Sequence, residues 1–77
     1  MEFVYSIHWL RKQKYRQNIT EDMFEYAILN SDELKDKHWL DASNAICRIP
    51  PSGRILKVVY KKVGKQKYNI ITAFWLD

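Results

Sequence analysis

The apolar positions of this chain change their spacing near its middle. From Ile7 to Asn30 they recur at helical intervals, and from about Lys37 they lie along stretches bounded by turn residues. Phe3-Val4-Tyr5 is short, apolar and β-prone, which suits a brief strand. Ser6 suits a helix N-cap, because its hydroxyl can accept from a free amide of the first turn. Residues 7–16 contain no Gly or Pro and predict a first helix. On it Ile7, Leu10 and Lys14 share one side, and His8, Arg11, Lys12 and Tyr15 share another. Gln17-Asn18 ends the pattern. Thr20 predicts the cap of a second helix, with Glu21 and Asp22 in the first turn, where the dipole favours anions. Phe24, Ala27 and Ile28 form its apolar stripe, Met23 and Leu29 flank it, and Asn30-Ser31 ends it. Residues 31–37 leave room for one more helical turn around Leu34.

Two turn signals organise the second half. Pro50-Pro51-Ser52-Gly53 reads as a four-residue loop. Gly64-Lys65 reads as a two-residue hairpin loop. Together they predict a register. Ala45, Cys47, Ile49, Leu56, Val58, Ile71 and Ala73 share an almost wholly apolar face that should receive the helices. Arg48, Lys57, Lys61, Tyr68 and Thr72 share the other with Ile46, Ile55, Val59, Ile70 and Phe74. The expected fold class is α+β: two N-terminal helices packed on a C-terminal antiparallel sheet of three to four strands, in one domain spanning residues 1–77.

Composition narrows the function. With 47% hydrophobic and 14% aromatic residues, the chain is too apolar for a disordered tail. No apolar run approaches the roughly 18 residues of a membrane span, and Met1 to Leu10 lacks the basic start of a signal peptide. Cytoplasm, with no membrane partner, is the expectation. A lone Cys47 forms no internal disulfide, and Cys47, His8 and His38 have no zinc-site spacing, so neither metal nor cofactor is expected. At 77 residues the core is thin, and a homodimer or other stabilising partner is expected.

Net charge is +4, distributed as basic, acidic, basic. Arg11, Lys12, Lys14 and Arg16 occupy residues 8–16 with no acid. Glu21, Asp22, Glu25, Asp32, Glu33, Asp36 and Asp41 dominate residues 21–41. Arg48, Arg54, Lys57, Lys61, Lys62, Lys65 and Lys67 occupy residues 48–67, again without an acid. Such a face suits nucleic acid, with cations for phosphate and aromatics for bases. It equally suits a solvated sheet surface kept soluble by lysines. His8 is the one residue beside a basic cluster able to exchange a proton near neutral pH, and its neutral imidazole can act as a base. The alternative is a histidine bonded to Ser6 or to backbone at the helix start. His38, beside acids and Trp39, reads as a surface histidine. Cys47 reads as core packing, and Trp9, Trp39 and Trp75 read as core or partner-interface packing.

Ser6-Ile7-His8, the basic helix with Arg11 and Arg16, and Ile19-Thr20-Glu21-Asp22 resemble the opening of a known group of small domains. Asn30-Ser31-Asp32-Glu33 stands where those domains carry a short stretch after their second helix. The ending Asn69-Ile70-Ile71-Thr72-Ala73-Phe74-Trp75 resembles their closing strand. The group is the BrnT-like domains of the RelE-like toxin ribonuclease superfamily, and the resemblance covers nearly the whole chain. Trp9 departs from it, replacing a small residue. The resemblance implies a RelE-like fold and a metal-independent endoribonuclease toxin with a cognate antitoxin, cleaving RNA by attack of a ribose 2′-hydroxyl on the adjacent phosphate. His8, Arg48, Lys57 and Tyr68 then form the candidate catalytic set. Arg11, Lys12, Arg16, Arg54, Lys61 and Thr72 form the candidate RNA-binding set. Two other readings stand beside it: a non-catalytic nucleic-acid-binding module using the same face, and a small protein-interaction domain with an aromatic interface.

Overall fold

The computed structural model describes residues 1–16, 18–31, 34–35 and 41–76; His38 and Trp39 lie outside them. The elements run β1 (Glu2–Tyr5), α1 (Ile7–Gln13), α2 (Glu21–Asn30), β2 (Leu34–Lys35), β3 (Ser43–Ile49), β4 (Arg54–Lys62) and β5 (Lys67–Trp75). The α+β class holds, but the sheet does not match expectation. It has five strands in the order β1-β5-β4-β3-β2 and is mixed, because β1 lies parallel to β5 while the other pairs are antiparallel. An antiparallel sheet of three to four strands is therefore corrected on size and on kind.

Both additions have physical causes. The edge of β5 would otherwise leave backbone amides and carbonyls unpaired. The Phe3-Val4-Tyr5 segment covers its first half and turns Phe3 and Tyr5 onto the helix side. Since α1 and α2 intervene, β1 can lie parallel to the last strand. At the opposite edge, Leu34–Lys35 pairs with Ser43 and Asn44 of β3, so these two residues are strand rather than a helical turn.

The Pro50–Gly53 loop is as predicted. Ile49 pairs with Arg54 and Cys47 with Leu56, the Gly53 amide donates to the Ile49 carbonyl at 2.8 Å, and Gly53 takes the left-handed φ of 76° that only glycine adopts without cost. The second hairpin differs. The Val63 amide donates to the Lys67 carbonyl at 2.9 Å, which leaves Gly64-Lys65-Gln66 as a three-residue loop. The β4–β5 register then shifts again between Val59 and Tyr60. Val59 faces Thr72 while Tyr60 faces Ile70, so Ile71 is the extra residue of a β-bulge.

That bulge redistributes side chains. Ile70 moves to the helix-side core, and Ile71 joins Val59 and Ala42 in a second buried cluster. Tyr68, expected among the lysines, packs on the helix side against Phe3 and Tyr60. Arg54 also belongs to the helix side, in register with Leu56 and Val58, and its guanidinium lies 4.4 Å from the Trp75 ring centroid. The other inward positions, Ala45, Cys47, Ile49, Leu56, Val58 and Ala73, are where the alternation puts them.

The helices close this face around one ring. Phe24 of α2 meets Trp9 of α1 at 5.5 Å and Phe3 and Tyr5 of β1 at 6.0 and 6.3 Å between centroids. Trp9 is fully buried, whereas Ile7 and Leu10 are exposed. The indole has the area to fill the gap over β5, and α1 rotates to admit it. Tyr5 donates its hydroxyl to the Glu21 carboxylate, tying β1 to the first turn of α2. Burial, with help from that carboxylate, raises the phenol far above its ordinary range. Among the described residues no helix is long and apolar enough to cross a membrane.

Replacing Phe24 with Ala empties the centre of this aromatic group. It should cost about 3–5 kcal/mol, measured by urea unfolding, whereas Val63→Ala, exposed just beyond the end of β4, should change stability by under about 0.5 kcal/mol.

Candidate nucleic-acid interface

The sheet face turned away from the helices is ordered in rows by strand pairing. Ile46, Lys57 and Phe74 lie in one row; Asn44, Val59 and Thr72 lie in the next. Arg48 and Ile55 sit beyond the first row, and Lys61 and Asn69 beyond the second. The face is less open than the alternation suggests. Val59, Ile71, Ala42, Asn44 and Thr72 are buried in the middle, Lys61 and Asn69 are half-buried at one end, and the more accessible end carries Ile46, Arg48, Ile55, Lys57 and Phe74.

Arg16 reaches this end from the helix side. It follows α1, with its amide bonded to the Gln13 carbonyl. Its guanidinium donates to the Ala73 carbonyl at 2.9 Å and the Thr72 hydroxyl at 3.3 Å. It thereby occupies the edge of β5 beyond the end of β1, and it comes within 5.8 Å of the Phe74 ring centroid. The Lys57 ammonium approaches the same ring at 5.7 Å. Two cations thus flank one aromatic ring beside a hydroxyl. From Ala42 to Leu76 the sequence contains no Asp or Glu, so β3, β4 and β5 bring cations but no anion of their own to this end of the face.

The remaining site residues fall elsewhere. His8, Arg11 and Lys12 line a surface recess on α1 with Lys14 and Tyr15, as their three- and four-residue spacing predicts. His8 is half-buried there, and Lys14 lies 5.2 Å from the Tyr15 ring centroid. Arg48 bonds across its own turn, to the Gly53 carbonyl at 2.7 Å. Lys61 stands near the basic hairpin that carries Lys62, Lys65 and Lys67. The structure therefore brings together Arg16, Lys57 and Thr72, and separately His8, Arg11 and Lys12. It does not assemble His8, Arg48, Lys57 and Tyr68 into one catalytic group, because Tyr68 is turned to the opposite side of the sheet and His8 sits in the α1 recess. Among the described residues no His, Cys, Asp and Glu group is arranged to hold a metal ion.

Sequence reasoning placed Phe74 on this face but not in the site, and gave Arg16 no link to β5. The inward turn of Tyr68 and Ile70, with Phe74 still outward, does have a sequence signal. Tyr68, Ile70, Ala73 and Trp75 are apolar at intervals of two, three and two, which is alternation with one residue inserted. Arg16's partner is a carbonyl at a strand edge, which leaves no mark in residue type.

Arg16→Ala should destabilise the fold by about 1–2 kcal/mol through loss of charged hydrogen bonds. Amide exchange at the end of β5 should quicken more than in β3. Arg16→Lys should recover little, since an ammonium lacks the planar fork that serves both acceptors. Comparison of the chain with known protein families, with curated proteins and with solved structures found no match.

Proposed function

We propose that this domain binds single-stranded RNA on the accessible end of its outer sheet face. The observation that carries this reading is the grouping of Arg16 and Lys57 around Phe74, with Thr72 beside them and no acid anywhere in the surrounding strands. Lys57 supplies charge for phosphate. Phe74 supplies an apolar ring for a base, and stacking of this kind tolerates any base because every base has a π-face. Arg16 is already bonded to the sheet edge, so its charge is positioned before ligand arrives and little side-chain entropy remains to be lost on binding. Ile46, paired with Lys57, and Ile55, on the same face of β4, provide apolar surface beside that ammonium. We place this activity in the cytoplasm, where a lone Cys47 stays reduced.

RNA cleavage is a second reading, favoured by one feature: the α1 recess puts an imidazole, cations and a phenol together. In that reading His8 takes the proton of the 2′-hydroxyl as its oxygen attacks phosphorus and the P–O5′ bond breaks, the proton passes back to the departing 5′-oxygen, and Arg11 and Lys12 stabilise charge on the phosphate. A cognate antitoxin would then cover one or both basic surfaces.

Fluorescence anisotropy with a labelled RNA oligonucleotide tests the binding reading. Affinity should fall steeply with salt, and Lys57→Ala should lower the slope of log affinity against log salt by about 0.7, the value for one phosphate contact on a single strand. Phe74→Ala should weaken binding by about 1–3 kcal/mol at any salt. Binding unchanged in both variants would remove this face from the interface. Incubation with RNA in the presence of a chelator tests cleavage: products that vanish with His8→Ala support it, and intact RNA at high protein concentration rejects it.

A further inference from the structure

The helical layer carries charge of opposite sign on its two helices. On α1 the side directly opposite buried Trp9 presents Ile7, Leu10, Arg11 and Lys14, and all four are exposed. Ile7 is 68% exposed and Leu10 51%, high values for large aliphatic side chains in a chain with so small a core. On α2 the side opposite buried Phe24 and Ala27 presents Asp22, Glu25, Tyr26 and Leu29, with Leu29 66% and Tyr26 40% exposed. Residues 7–16 contain no acid, and residues 21–30 contain no Lys or Arg. Each helix thus has an amphipathic inner side bound to the sheet and a second, apolar-plus-charged stripe turned away from it.

We propose that these two stripes form the interface of a two-fold homodimer. Both helices pack on the same face of the sheet, α1 over β5 and α2 over β3 and β4. A two-fold axis lying in the contact plane between them sets α1 of each copy on α2 of the other. Ile7 and Leu10 then meet Tyr26 and Leu29 of the second copy, and Arg11 and Lys14 meet its Asp22 and Glu25. The contact occurs twice, as an isologous interface requires. The second copy is the favoured occupant because one chain carries both halves of the match: apolar against apolar, cation against anion. A nucleic acid would complement α1 alone and be repelled by α2. The outer sheet face lies on the other side of the molecule, so the dimer leaves the proposed RNA surface exposed, and this inference stands independently of that reading.

Sedimentation velocity over a concentration series, without RNA, tests it. The parent chain should pass from 9.3 kDa to twice that mass as concentration rises, and should dissociate as salt rises. Leu10→Glu sets an acid against the acidic stripe, and Leu29→Lys sets a cation against the basic one. Each alone should raise the dissociation constant by more than about tenfold, since like charges across an interface are strongly unfavourable. An equimolar mixture of the two should restore the dimer as a heterodimer, in which the introduced carboxylate meets the introduced ammonium in one contact and the native stripes meet in the other. Circular dichroism confirms that each variant, altered only at an exposed position, keeps its fold. A parent that stays monomeric at every concentration, variants that dimerise as well as the parent, or a mixture that stays monomeric each overturn the proposal. A parent that gains mass only with added RNA overturns it too, and assigns the α1 stripe to nucleic acid.

Discussion

The last strand of the sheet outruns its neighbour, and the carbonyls this leaves uncovered must find donors. β1 covers β5 only from Lys67 to Ile70. Beyond that point the Ser6 amide takes the Ile70 carbonyl at 2.9 Å, the Ser6 hydroxyl takes that of Ile71 at 2.8 Å, and Arg16 takes that of Ala73. The Ser6 hydroxyl also accepts from the Trp9 amide at 3.2 Å, so one side chain starts α1 and holds it to the sheet. Buried backbone groups left unpaired are costly, and this requirement sets where the first helix begins, how it sits over β5 and where its last cation is anchored.

Core and surface follow from the same constraint. With α1 fixed at both ends against β5, Trp9 is driven inward onto Phe24, and Ile7 and Leu10 are left in solvent. The bulge at Ile71 lets β5 keep its helix-side apolar set while still presenting Thr72 and Phe74 outward. Arg16 then serves fold and surface together. Its hydrogen bonds stabilise the strand edge, and its charge joins that of Lys57 at Phe74. A residue of this kind cannot be altered to probe binding without also loosening the sheet, which is why Lys57 and Phe74 report more cleanly on the surface.

Much of this was legible in residue order. Ser6 as a cap, the two helical stretches, the Pro50–Gly53 turn and the inward set on β3 and β4 all follow from local chemistry and alternation. So does the α1 recess, because His8, Arg11, Lys12 and Tyr15 are neighbours on any helix. Errors began where one residue of slippage matters. The Gly64 hairpin is one residue longer than its turn signal suggests, and the bulge adds another. Period-two alternation turns such an insertion into a change of face. Tyr68 and Ile70 therefore lie on the helix side rather than beside the lysines, and Tyr68 shares no face with Lys57.

The sequence by itself determined the class of element in each half, the segregation of charge along the chain, and the exclusion of a membrane-spanning helix among the described residues. These are properties of local composition and spacing. Only the tertiary structure decided that β1 joins the sheet in parallel, that Arg16 crosses to the β5 edge, and that His8 and Lys57 belong to different groups. Each of those depends on pairing between segments tens of residues apart, where the choice is made by unpaired backbone groups and by the space left for a ring, and neither is written in the neighbours of any one residue.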